Sequence, residues 1–257
     1  MGSCESHVFP VDPYLIRPSR NTRNARVSSS NLRVVVEGRV WTTVRNVWFA
    51  GVRLRAHSTV VRLEDGGLFL HSASPPTPAL KDELRALGPV RWLCVPNRFH
   101  HLGTPSAALA FPEARVVGPR SALERNPALR LDTEIQSDEF RESLPEFDSL
   151  PLSGVPFLDE TVLFHKPSQT LLGADLVLSA CAQDHWTWRL AGRLTGCYGT
   201  IRVPPDVRSK VVDKSAAARS IERIQSVPAQ RLLVAHADVI EGDWAHALTD
   251  AWRRIGA

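Results

Sequence analysis

Val90-Arg91-Trp92-Leu93-Cys94-Val95, followed at once by Pro96-Asn97-Arg98-Phe99-His100-His101-Leu102-Gly103, is the stretch on which the fold turns. An apolar run of strand length that breaks into a polar turn with two adjacent histidines sets imidazoles at the edge of a sheet, where ligands and metals bind. Two later segments repeat the form: Leu171-Leu172-Gly173-Ala174-Asp175 and Leu232-Leu233-Val234-Ala235-His236 are apolar runs that end in a possible ligand. Three strand ends that each deliver an Asp or His predict one shared site.

The flanking patterns predict a layered α/β sandwich. Arg39–Val44 and Ser58–Leu63 alternate as strands, Asp65-Gly66-Gly67 is a hairpin signal, and Leu68–Ser72 returns. Thr77-Pro78 opens a helix over Ala79–Leu87 that Gly88-Pro89 ends. A helix over Thr104–Ala110, a strand over Ala114–Gly118 and a helical turn over Arg120–Glu124 follow, then an acidic, weakly patterned loop with short elements from Leu131 to Leu150. Glu160–His165 and Gln169–Gly173 flank Lys166-Pro167-Ser168 as a hairpin; residues 180–206 read as irregular or as helix and loop. Ser215–Ile224 reads as helix, Arg231–Ala235 as strand, and Asp243–Ile255 as a closing helix with Trp244, Leu248 and Trp252 on one face.

Composition narrows the function classes. The 257 residues are 43% hydrophobic, enough for a substantial core, and the net charge of +4 comes without a basic block, which argues against a nucleic-acid partner. No apolar run reaches eighteen residues, so no transmembrane segment is expected. Cys4, Cys94, Cys181 and Cys197 form no Cys-x-x-Cys, which fits a reducing cytoplasm. Residues 1–31 read as a flexible extension with prolines, arginines and Ser28-Ser29-Ser30, ahead of a domain spanning 32–257. Met1-Gly2-Ser3-Cys4-Glu5-Ser6 matches an acylation pattern at Gly2 and Cys4.

From about Glu37 to the C-terminus the sequence resembles the metallo-β-lactamase superfold, and most of all a branch of it classed only as a domain of unknown function. The resemblance rests on Thr59–Leu63 with Gly66-Gly67-Leu68, Leu70-His71-Ser72, Pro96-Asn97 with His100-His101-Leu102, Ser168 with Thr170-Leu171-Leu172 and Asp175, and Ala235-His236. It implies an αββα four-layer sandwich. The superfamily's first metal motif, H-x-H-x-D-H before an apolar residue and Gly, falls here on Pro96, Arg98, His100 and His101, and no His lies in Leu152–Pro156 where the middle ligand belongs. The resemblance therefore implies that the first metal site is lost and that His100, His101, Asp175 and His236 would form the second, holding one zinc (or iron or manganese) ion or none. His71 and His165 are expected to support the ligands, and Asn97 and Arg98 to support them or to bind an anionic substrate, unless Arg98 seals the empty first site with its own charge; His7, His57, His185 and His246 carry no motif.

The activity implied is hydrolysis of a small ester-like or lactone-like molecule at a single metal. The alternative is a non-catalytic small-molecule-binding or regulatory module with a degenerate site, and the last option is a redox protein with a non-haem iron. Fold alone does not choose among them.

Overall fold

A computed structural model describes residues 31–254. The expectations for the first thirty residues, including acylation at Gly2 and Cys4, lie outside the described residues. Seven strands, β1 (Arg33–Val36), β2 (Val40–Phe49), β3 (Val52–Arg62), β4 (Leu68–His71), β5 (Val90–Cys94), β6 (Arg115–Gly118) and β7 (Thr133–Glu134), form one sheet in chain order. Five more, β8 (Phe147–Pro151), β9 (Thr161–His165), β10 (Thr170–Leu172), β11 (Arg231–Leu233) and β12 (Ile240–Glu241), form a second in the order β12-β11-β10-β9-β8. The helices, in chain order, are α1 (Pro78–Leu87), α2 (Thr104–Ala110), α3 (Ser121–Arg125), α4 (Asp138–Ser143), α5 (Trp186–Thr195), α6 (Pro205–Arg208), α7 (Lys214–Ser226) and α8 (Trp244–Arg253).

Strand alternation creates the layers. In β5, Trp92 and Cys94 point between the sheets, where they meet Phe69, Phe147, Leu163, Leu172 and Leu233. Leu93 and Val95 point the other way, onto Leu84 of α1 and Ala107 of α2. In β9, Val162 and Phe164 face Ile221 and Ile224 of α7 and Leu248 and Trp252 of α8. Helices, two sheets and helices thus stack in four layers, as the resemblance implied. Capping follows the sequence signals: the Thr77 hydroxyl accepts from the Leu80 N–H at 3.2 Å, Pro78 sits in the first turn, and Gly88 ends α1.

One segment differs from the sequence reading. β2 and β3 run on as one long hairpin beyond the predicted strands, closed by Ala50 and Gly51, both at positive φ (47° and 79°). An Ala-Gly turn lacks the Asn or Asp that usually marks such a reversal. The short elements expected within the segment from Leu131 to Leu150 are β7, α4 and most of β8, whose Asp148 and Ser149 interrupt the apolar pattern. Within 180–206 the structure takes the helix-and-loop alternative: a ten-residue helix, α5, packs beside the hairpin.

The pairing sets the site's location. β4 and β5 are parallel, as are β10 and β11, while β9 runs antiparallel to β10. The Thr161 N–H donates to the Pro96 carbonyl at 3.0 Å, which joins the C-terminal end of β5 to the N-terminal end of β9 across the two sheets. One rim therefore collects the residues after β4, β5, β10 and β11 and those before β9.

Candidate metal centre

The loop after β5 is shaped by Asn97, which is fully buried. Its Oδ1 accepts from the N–H groups of Phe99 (2.8 Å) and His100 (2.9 Å), an Asx turn that folds residues 97–100 back on themselves. With Oδ1 committed as acceptor, Nδ2 is free to donate, and it does so to Glu160 Oε2 (3.0 Å) and Asp175 Oδ2 (2.9 Å). Glu160, also buried, accepts from the backbone N–H groups of Ala174 and Asp175, both at 2.8 Å. One amide and one carboxylate thus fix the loops after β5 and β10 against each other. Glu160 does not stand out in the sequence. Its only signal is a carboxylate at the head of the predicted strand Glu160–His165.

On this frame His100, Asp175 and His236 converge, with one ligand-capable atom of each within 4.8 Å of the others. His100 Nε2 lies 3.2 Å from Asp175 Oδ2, and His236 Nε2 lies 3.5 Å from Asp175 Oδ1. The second nitrogen of each ring is also held: His100 Nδ1 by Ser72 Oγ at 2.6 Å, and His236 Nδ1 by the Arg55 carbonyl at 2.8 Å. The Arg55 side chain ties down the surroundings through Asp184 (2.6 Å), Asp238 (2.8 Å) and Cys181 Sγ (3.0 Å). The three side chains keep 12, 16 and 12% exposure, so the site reaches solvent through a narrow opening. A surface cleft of 640 Å³ lined by Ser153, Arg219 and Arg223 lies elsewhere and holds none of these groups.

The electrostatics are strongly coupled. Burial pushes the Asp175 carboxyl up, but the charge and hydrogen bond of His100, with His236 and Asn97, outweigh it and hold it well below the usual carboxylate range. Burial disfavours the charged His100 ring, yet Asp175 and Glu160 raise its pKa overall. His236 is lowered by burial, and the charge of His100 acts in the same direction. Burial and the charge of Asp175 push Glu160 up against the pull of its three donors. Arg45 acts on both His100 and His236. It pairs with Ala56 in the hairpin and shares a sheet face with Ser58, whose hydroxyl donates to the Ser72 carbonyl.

The other predicted residues fall as follows. His101 stands outside the group of three: it is 8% exposed, its Nδ1 has no partner among the described residues, and burial with the charges of His100 and Arg125 lowers its pKa. Beside the Asx turn, His100 joins the cluster and its neighbour His101 does not. His165 is not at the site. Its ring lies at the far end of β9, between Ser168 Oγ (2.6 Å) and Glu146 Oε2 (3.0 Å). Arg98 turns away to Glu124 at 2.7 Å. His71, at the end of β4, is buried beside Ser72, close enough to His100 for like charge to matter, and burial holds its pKa down at about 3. Leu152 and Val155, in the segment where a middle histidine belongs, are packed in the core of the second sheet.

No family model and no curated protein matches the sequence. Solved structures do. A metallo-beta-lactamase from Erythrobacter litoralis with beta mercaptoethanol in its active site aligns with a TM-score of 0.64 at 13% identity, over 87% of this chain and 96% of its own. One from Pseudomonas aeruginosa in its mono-zinc form aligns at 0.62 and 9% identity, over 87% and 94%. One from Pontibacter korlensis aligns at 0.60 and 13% identity, over 86% and 98%. With its two sheets, its outer helices and its cluster at one rim, this chain has the metallo-β-lactamase fold.

Proposed function

We propose that the chain is a metal-dependent hydrolase of a small ester-like or lactone-like molecule, with one ion held by His100, Asp175 and His236. One observation carries this reading. The Arg55 carbonyl can only accept, so Nδ1 of His236 bears the proton of the neutral ring, and Nε2 then turns its lone pair toward Asp175 Oδ1 at 3.5 Å. A lone pair facing a carboxylate oxygen in a nearly closed site is unfavourable, and a cation between them removes the conflict. Two imidazoles and a carboxylate match the three-ligand sets of catalytic zinc, and they also suit iron or manganese. A bound ion would supply Lewis acidity, polarising a carbonyl and easing deprotonation of water.

The chain's own residues do the positioning. Ser72 and the Arg55 carbonyl set the two rings, while Asn97 and Glu160 hold Asp175. Arg45, half-buried on the face of the hairpin toward the site, is the group that meets a negative charge on the substrate.

Metal analysis of protein purified without chelator or a metal-affinity column, paired with hydrolysis assays on aryl esters and lactones, tests the reading. About one ion per chain is expected, lost in Asp175→Ala and His236→Ala and retained in Arg98→Ala. Two tightly bound ions would refute the single-site argument. A second reading, a metal-free binding module, has its own support. His100 satisfies both ring nitrogens within the protein, through Ser72 and Asp175, and needs no ion to do so. Inactive protein that stays folded and metal-free would favour that module over the enzyme.

A further inference from the structure

We propose that the tip of the β2–β3 hairpin and the outer face of α5 form a docking surface for an anionic lipid bilayer. Trp48 and Phe49 at the tip are 66 and 65% exposed, and Trp186, Leu190 and Leu194 on α5 are 61, 51 and 80% exposed. Spaced four residues apart, the last three form one stripe along the helix. The opposite face of α5 is already used: Trp188 is buried and donates through Nε1 to the Ser179 carbonyl at 3.1 Å, and Gly192 is packed so closely on Ala180 that a Cβ would overlap it. Tip and helix form one surface. The Trp48 ring lies 5.8 Å from His185, which lies 5.8 Å from Trp186, and the Arg53 N–H donates to Thr187 Oγ1 at 3.0 Å.

Charge identifies the occupant. Around the tip and along α5, residues 46–54 and 185–202 contain Arg53, Arg189, Arg193 and Arg202 and no Asp or Glu, although the whole chain is nearly balanced at 31 basic to 27 acidic residues. On α5, Arg189 and Arg193 flank the apolar stripe and donate to backbone carbonyls rather than to carboxylates. Aromatic and leucine side chains that enter the headgroup–acyl boundary, bordered by arginines that meet lipid phosphates, are the pattern of a peripheral membrane face. A second copy of the chain docked through the same face would set arginine against arginine. Among the described residues no helix is long and apolar enough to cross a membrane, so the attachment is to the surface of the bilayer.

The test is co-sedimentation of the full chain with phosphatidylcholine vesicles, with and without phosphatidylglycerol. Every variant keeps residues 1–30, so their arginines contribute equally throughout. Binding is expected on the anionic vesicles only, and added salt should weaken it. Arg189→Ala/Arg193→Ala should reduce partitioning by about tenfold or more, given the worth of each basic residue near an anionic surface. Trp48→Ala/Phe49→Ala should weaken binding with an unchanged thermal midpoint, which separates docking from folding. Failure to bind anionic vesicles would overturn the proposal. So would binding that neither double variant alters, or a concentration-dependent dimer that buries Trp48 and Leu190.

Discussion

Replacing Asn97 by aspartate changes one –NH2 into an oxygen and leaves shape and volume alone, which makes it the sharpest probe of the site's charge. In the native protein Nδ2 lies 3.0 Å from Glu160 Oε2 and 2.9 Å from Asp175 Oδ2. An ionised oxygen there would meet two carboxylates at about 5 kcal/mol each, taking an effective dielectric constant of about 20. Taking up a proton is cheaper. Holding a carboxyl of ordinary pKa about 4 protonated at pH 7 costs about 4 kcal/mol. The single O–H that results can satisfy only one of the two acceptors, which adds about 1–2 kcal/mol. Asn97→Asp should therefore lose about 5 kcal/mol at pH 7 and only about 1–2 kcal/mol near pH 4. The sign follows from proton linkage: the folded variant keeps a proton that the unfolded chain releases above about pH 4, so stability falls as pH rises. Urea unfolding of metal-free wild type and variant at pH 4 and pH 7, followed by tryptophan fluorescence, measures both numbers. An equal loss at the two pH values, or no loss at pH 7, would refute the placement of Asn97 between two ionised carboxylates.

Other perturbations have equally definite outcomes. His71 stays neutral in the fold because burial and the charge of His100 hold its pKa at about 3, and burial holds His57 at about 4. The unfolded chain takes up these protons below about pH 6.5, so stability should fall as pH drops from there, and His71→Leu should flatten that slope in acid titrations followed by circular dichroism. A Cβ at Gly103 would run into the Ala73 carbonyl; Gly103→Ala should cost about 1–3 kcal/mol by overpacking, read as a lower urea midpoint. Arg45→Ala removes a positive charge that acts on His100 and His236. It should tighten metal binding in a competition titration and raise KM for anionic esters more than for neutral ones.

The strand ends are legible in the sequence because a strand-length apolar run that stops at His or Asp leaves that side chain where the sheet meets solvent. The runs before Asn97, Asp175 and His236 all deliver their residues to one rim. The choice between His100 and His101 is not legible. Alternation along a strand cannot be carried into a turn, and only the folded Asx turn of Asn97 shows which ring joins the cluster. Glu160 escapes notice because a lone acidic residue before a strand reads as surface, and only the folded loop of Ala174 and Asp175 surrounds it with donors. The supporting role expected of His165 fails for a geometric reason: it ends the strand that starts at the site, and five residues of strand carry it to the other rim.

The two histidines of the cluster differ in how mutation can reach them. His100 is oriented by a hydroxyl on Ser72, which a single substitution deletes. His236 is oriented by the main-chain carbonyl of Arg55, which every residue type would supply as long as the hairpin keeps its course. The tautomer of one ligand is thus open to change by point mutation, and that of the other is written into the backbone. A lineage that loses or retunes this site has its easiest route through Ser72, and variants at Ser72, more than those at Arg55, are where altered ring chemistry should first be sought.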